Sequence, residues 1–274
     1  MIRQLLRSPI ALLVGVLILV AGQAQAGVIY ASDNLGNIYT VDTNNANSVL
    51  VGSLGFSNFS TEIEYDNINN RAWAQSRDGS FTAVEFDINT GAAIGVPVAN
   101  GGSFTGLEFV GNVLFGAYIT AGGGSAPSTF ATLDPATGAV NNIGATNTGH
   151  PVAGLAYDTI NNIMYGIDGG PGPADLWIFD LITGMATLVA NTQIQAGSLE
   201  FDMSGNLIAG GTGANSGDLF LIDTQSAAAT FIGNTGFSIT GLTLVGQVAV
   251  PEPGTLALLG LGLIGMAARR RRKV

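Results

Sequence analysis

Cysteine is absent from the sequence, so no disulfide can form and no thiol chemistry is available, even in an oxidising compartment. Histidine occurs once, as His150 in the run Asn147-Thr148-Gly149-His150-Pro151. It has no serine or cysteine partner at a recognisable elbow, and a zinc site would need ligands the chain lacks, so it reads as a loop residue. Cations are scarce too. Of nine, seven lie near the termini (Arg3, Arg7, Arg269, Arg270, Arg271, Arg272 and Lys273), which leaves Arg71 and Arg77 between them against eighteen acids, a charge near −16. That field repels phosphate backbones and excludes nucleic acid as a partner, while cations and neutral sugars stay compatible with it. The glycine run Gly122-Gly123-Gly124 has no lysine after it and no helix to open, which argues against phosphate binding. Helical periodicity is missing from the body of the chain.

What the body does contain is short apolar runs punctuated by Gly, Asn, Thr and Asp, the pattern of many short strands. The runs recur. A strand ending in aspartate appears around Asp42, Asp87, Asp134, Asp180 and Asp223, at spacings of 45, 47, 46 and 43 residues. A second segment, of the form GLxYD, recurs at Ile63, Leu107, Leu155, Leu199 and Leu242, spaced 44, 48, 44 and 43. A period near 45 with about four strands per unit is the signature of a β-propeller. Within one unit the strands read as 154–157, 163–167, 176–180 and 186–189.

The phase of the repeat adds topology. The first unit, from Val28, lacks its GLxYD strand, and the chain ends with a surplus copy, Thr240 to Val245. Pairing the surplus strand with the first unit completes a blade and removes two exposed sheet edges. Tight Asn69-Asn70 and Asn161-Asn162 turns suit antiparallel hairpins rather than the parallel coils of a β-helix. The expected fold is therefore all-β, a five-bladed propeller closed by its C-terminal strand, flanked by an N-terminal signal helix and a C-terminal transmembrane helix.

With the GLxYD strand innermost, its x position holds Glu64, Glu108, Ala156, Glu200 and Thr243. Three carboxylates from three blades then stand near the channel. This resembles the three-acid inner-strand arrangement of five-bladed glycosidases, which implies an alternative function as a glycoside hydrolase with Glu64, Glu108 and Glu200 as the catalytic acids. The loops between second and third strands carry Asp33, Asp78, Asp168, Asp175 and Asp218, expected to share one face as an electronegative patch that could take Ca2+ weakly. No loop has the D-x-D-x-D-G spacing of a dedicated calcium loop. Trp73 and Trp177 read as blade-packing residues, with sugar stacking at Trp177 the alternative beside the Gly169-Gly170-Pro171 loop.

The two ends carry sorting information. Arg3 and Arg7, an apolar core from Ile10 to Val20, and Ala24-Gln25-Ala26 make residues 1–26 a secretory signal peptide, with the Sec export machinery and signal peptidase as partners. Residues 250–274 combine the extended motif Pro251-Glu252-Pro253, an uncharged run from Gly254 to Ala268, and the cations Arg269, Arg270, Arg271, Arg272 and Lys273. The apolar run can satisfy its backbone in lipid only as a helix, about 22 Å long, and the cations would hold its far end on the cytoplasmic side. This tail resembles the PEP-CTERM sorting signal, which implies processing by exosortase near Pro251 to Pro253, transient anchoring in the inner membrane of a Gram-negative bacterium, and delivery to the surface or to extracellular polysaccharide. Between the two ends, residues 27–249 form the propeller, expected to act as a non-enzymatic binding or structural module for a glycan, a cation or a surface protein.

Overall fold

The computed structural model describes residues 27–56, 62–76, 81–119 and 127–246. The signal segment 1–26, the sorting segment 250–274 and Asp78 lie outside these residues. Among those described, no helix is long and apolar enough to cross a membrane.

Five four-stranded antiparallel sheets make the body. The first joins β1 (Val28–Asp33), β2 (Asn37–Asp42) and β3 (Ser48–Ser53) to the last strand of the chain, β20 (Ile239–Thr243). The second is β4 (Glu62–Asp66), β5 (Arg71–Gln75), β6 (Thr82–Phe86) and β7 (Ala93–Ala99). The third is β8 (Ser103–Val110), β9 (Val113–Ile119), β10 (Thr129–Asp134) and β11 (Ala139–Ala145). The fourth is β12 (Val152–Asp158), β13 (Ile163–Asp168), β14 (Asp175–Phe179) and β15 (Ala186–Asn191), and the fifth is β16 (Ala196–Phe201), β17 (Leu207–Gly211), β18 (Asp218–Ile222) and β19 (Ala229–Asn234). The innermost strands β20, β4, β8, β12 and β16 each contact the next and close a ring, so the chain is a five-bladed β-propeller. Blade four begins and ends its strands within two residues of the positions read from the sequence.

Burial falls outward along each blade. Strands β4 and β16 are buried along their whole length, whereas none of the outer strands β3, β7, β11, β15 and β19 contains a buried residue. The inner strands face neighbours on both sides, so burial runs along them without a clean alternation and takes in Glu62, Glu64 and Glu200 with the apolar residues.

The repeated aspartates shape the turns between third and outer strands. Asp42, Asp87, Asp134, Asp180 and Asp223 each accept the backbone N–H of the residue two positions on. Each also accepts, on its backbone carbonyl, the N–H of the residue four positions on: Ala46, Gly91, Gly138, Gly184 or Ala227. Those five residues all sit in the left-handed region, with φ between 58° and 75°. Glycine takes that conformation freely, and the two alanines hold it because their methyls are buried. The carboxylates of Asp180 and Asp223 are held below the ordinary aspartate pKa, chiefly by the N–H groups of Thr183 and Ser226.

These turns also dock the blades. A Cβ on Gly52, Gly144 or Gly233, all on outer strands, would overlap the carbonyl oxygen of Thr90, Thr183 or Asn45 in the turn of the following blade. In all five blades a bulge interrupts the pairing of third and outer strands, turning the outer strand toward that neighbour.

Closure follows the phase of the repeat. β20 pairs with β1 through Tyr30 with Thr243, Ala31 with Leu242 and Ser32 with Gly241. Ile239, Leu242 and Thr243 are fully buried there. Burial of Ile239 and Leu242 alone contributes about 3–6 kcal/mol, a large share of the ~5–15 kcal/mol total of a typical domain. Truncation after Gly236 is therefore expected to abolish cooperative thermal unfolding or to lower its midpoint by more than about 10 °C; an unchanged midpoint would show that the ring does not need this strand.

Candidate functional site

The inner strands approach one another closely because the residue two before each x position is small in four blades: Gly106, Gly154, Ser198 and Gly241. A Cβ on Gly154 would overlap the backbone of Ser198 and Leu199, and one on Gly106 would press on Gly154. With a strand period of two, these residues share a face with the x positions. In blade two the small residue is replaced by Glu62, which is completely buried.

This tight ring brings together Glu64, Glu108 and Glu200, as the sequence led us to expect. One carboxylate oxygen from each lies within 4.8 Å of the others. The three residues are only 3 %, 7 % and 5 % exposed. The remaining x positions, Ala156 and Thr243, are fully buried.

The polar contacts repeat from blade to blade. In two blades the side chain at x reaches the N–H that follows x in the next blade: Glu200 Oε2 accepts from Leu244 at 2.9 Å and Thr243 Oγ1 accepts from Tyr65 at 2.9 Å. Glu200 Oε1 also accepts the Phe201 N–H at 2.7 Å, and Glu64 Oε1 the Tyr65 N–H at 3.1 Å. The Thr243 hydroxyl lies 3.3 Å from Glu64 Oε1 and donates to it. Glu108 Oε2 is buried with no hydrogen-bond partner.

Burial is the main electrostatic force on the cluster. It raises the pKa of Glu200 to about 8, against the Leu244 and Phe201 N–H groups that favour the carboxylate. Glu64 and Glu108 are pushed well above the ordinary glutamate value, first by burial and next by the Glu200 charge. Three carboxylates this close cannot all ionise without a cation beside them, and in its absence the cluster would hold protons near neutral pH.

The glutamates open into a cavity of about 310 Å³ bordered by turns between inner and second strands, including Asn67, Ile68, Thr159, Ile160 and Met203. A second depression, about 430 Å³, lies between blades two and three. There Arg71 makes a two-pronged pair with Glu85, at 2.9 and 2.6 Å, and its guanidinium lies 4.6 Å from the centre of the Trp73 ring.

The loop acids are arranged differently. Asp33, Asp168, Asp175 and Asp218 lie at the junctions of second and third strands, at the other end of the inner-strand ladder from the cavity. Asp33 is buried and accepts from the Leu35 and Asn37 backbones, the Asn37 amide and the Tyr39 hydroxyl. Asp168 is buried too, accepting the Asp175 N–H at 2.7 Å, and burial raises its pKa. Asp175 and Asp218 accept from the side-chain amides of Asn191 and Asn234. Asp168 and Asp175 meet, while Asp33 and Asp218 stay in their own blades. Among the described residues, the acids that could share one ion are the channel glutamates.

Trp73 is buried and Trp177 packs against the apolar cluster of Phe130, Leu155 and Phe179. His150 stands in a loop with its ring against Gly170. Two features of the site escaped the sequence. Glu62 replaces the small residue of its repeat, a signal that was available, and Thr243 links Glu64 to the closing strand. Arg71 and Trp73, two apart on β5, share a face for the same period-two reason.

A carboxyl whose folded pKa exceeds its unfolded value stabilises the fold fully below the unfolded value and loses that contribution as pH rises through the folded one. In metal-free buffer the melting temperature should therefore fall between about pH 5 and pH 8. Asp180 and Asp223, with lowered values, lose their contribution only at more acid pH. Glu200→Gln should flatten the slope, and a melting temperature that is constant or rises across this window would contradict the protonated cluster.

Two solved structures illustrate how far the likeness to known proteins extends. A chain in a nidogen/laminin complex aligns over 80 % of this chain and 86 % of its own, with a TM-score of 0.50 at 11 % identity. The PQQ-bound aldose sugar dehydrogenase of Streptomyces coelicolor aligns over 81 % and 85 %, with a TM-score of 0.49 at 14 % identity. At such identity the first likeness is one of fold alone. No curated protein is a significant sequence match. Residues 249–272 match the PEP-CTERM protein-sorting motif, so this propeller belongs to an exported protein carrying the signal that exosortase processes.

Proposed function

We propose that the propeller is a non-enzymatic binding or structural module of the cell surface or extracellular matrix, with a neutral glycan or another surface protein as its partner. The observation that carries this reading is the convergence of Glu64, Glu108 and Glu200 to within 4.8 Å in a site where each is more than nine-tenths buried. A glycosidase needs its two carboxyls on either side of a sugar ring, roughly 5–10 Å apart, with one ionised. Here one oxygen of each glutamate lies within 4.8 Å of the others, below that range. Burial also favours the protonated form of the cluster, which disfavours the ionised nucleophile or base that hydrolysis requires.

Export supplies the setting. The sorting motif supports transient anchoring by the apolar run Gly254 to Ala268 in the inner membrane of a Gram-negative host, then release near Pro251 to Pro253. The purified body, residues 27–249, should show no hydrolysis of the host's own polysaccharide while binding to it or to a surface protein is retained. Sugar release that disappears in Glu200→Gln would overturn the reading in favour of a glycoside hydrolase. Mass spectrometry of surface material should find the body without its cationic tail; the intact tail on surface protein would refute processing there.

A further inference from the structure

We infer that Glu64, Glu108 and Glu200 form a divalent-cation site in the propeller channel, suited to Ca2+. Proximity of acids alone would not carry this. The independent observation is at Glu108, a member of the cluster that is 93 % buried and whose Oε2 has no hydrogen-bond partner. A buried oxygen without a donor is costly, and such sites are completed by an ion or by ordered water. Among the described residues no guanidinium or ammonium pairs with Glu64, Glu108 or Glu200, and the one salt bridge joins Arg71 to Glu85.

The span of the site selects the ion. Oxygens on opposite sides of one Ca2+ are about 4.6–5.2 Å apart, twice the usual Ca–O distance, whereas around Mg2+ the limit is about 4.0–4.2 Å. Three oxygens spread evenly about one ion are about 4.0–4.5 Å apart for Ca2+ and about 3.5–3.6 Å for Mg2+, so oxygens lying within 4.8 Å of one another come onto a calcium sphere with at most a small inward movement. Calcium takes six to eight oxygen ligands in flexible geometry. The adjoining cavity of about 310 Å³ has room for the waters that would complete the shell. All ligands are hard carboxylate oxygens with no His or Cys among them, which disfavours zinc.

The position gives the ion a structural task. The three glutamates come from blades two, three and five, and Glu200 and Glu64 also touch the closing segment through the Leu244 N–H and the Thr243 hydroxyl. One ion would thus tie three inner strands and the closure together. The proposal deepens the binding-module reading by filling the channel, and it can fail separately, because hydrolysis and calcium binding are scored in different assays.

The test uses the purified body after exhaustive chelation. Equilibrium dialysis against Ca2+ with elemental analysis should give one tightly coupled site per chain with a dissociation constant of about 10⁻⁴–10⁻³ M, as in extracellular calcium modules. Ten-millimolar CaCl2 should raise the melting temperature by roughly 3–5 °C over NaCl of equal ionic strength, with MgCl2 weaker. Tb3+ should bind and luminesce on excitation of Tyr65 and Tyr157, which border the same cavity, and Ca2+ should displace it. Glu108→Gln, which preserves shape, should weaken binding at least tenfold, while Asp218→Asn should leave it unchanged. No binding at ten-millimolar Ca2+ by the folded wild type overturns the proposal. So does binding that survives Glu108→Gln and is lost with Asp218→Asn, which would move the ion to the opposite face.

Discussion

The pairing of β20 with β1 is the contact on which the rest depends. It turns a row of four complete blades and one incomplete one into a ring, and only a ring holds the five inner strands at fixed mutual distance. The close approach of Gly106 to Gly154, and of Gly154 to the Ser198–Leu199 backbone, sets the channel's width. That width is what drives three carboxylates to within 4.8 Å. The electrostatics of the site is thus a consequence of closure. An open chain of blades would let the glutamates separate and hydrate, and their pKa values would relax toward the ordinary range.

Much of this was legible in the sequence because a propeller is written as a repeat. The recurrence of Asp42, Asp87, Asp134, Asp180 and Asp223 has a local cause, since each aspartate folds its own turn with the residue four positions on in the left-handed conformation. The surplus segment at Thr240 revealed closure through phase alone. The Glu64, Glu108 and Glu200 set followed from placing GLxYD innermost. What could not be read were distances across blades. Whether three glutamates stand apart like a glycosidase's or converge like a metal cage is decided by how closely neighbouring backbones pack, and sequence spacing carries no such length.

The loop acids show the complementary limit. Asp33, Asp168, Asp175 and Asp218 do recur at the same junction, so the repeat phase located them properly. Their side chains, however, are engaged by Asn37 and Tyr39, by the Asp175 N–H, by Asn191 and by Asn234. An asparagine sixteen residues downstream supplies the partner in both blades four and five, Asn191 for Asp175 and Asn234 for Asp218. That pairing bridges third and outer strands. The acids therefore read as turn and strand ties within single blades, whereas the channel glutamates are the ones that act between blades.

The two ends of the propeller add a polarity. Blade one has no turn between its inner and second strands, because there the chain enters at Gly27 and leaves after Thr243. The departing segment is pinned at the cavity rim, where Asn67 donates to the Leu244 carbonyl at 3.2 Å and accepts the Gly246 N–H at 2.8 Å. Gly246 precedes Pro251 by five residues, a reach of at most about 18 Å. Under the proposed anchoring, the tether would leave the propeller from Gly246, at the rim of the glutamate cavity and at the other end of the inner strands from Asp33, Asp175 and Asp218. On the proposed cut near Pro251 the tether would go while Leu244 and Gly246 stayed bonded to Glu200 and Asn67, so release would disturb neither the closure nor the channel it defines.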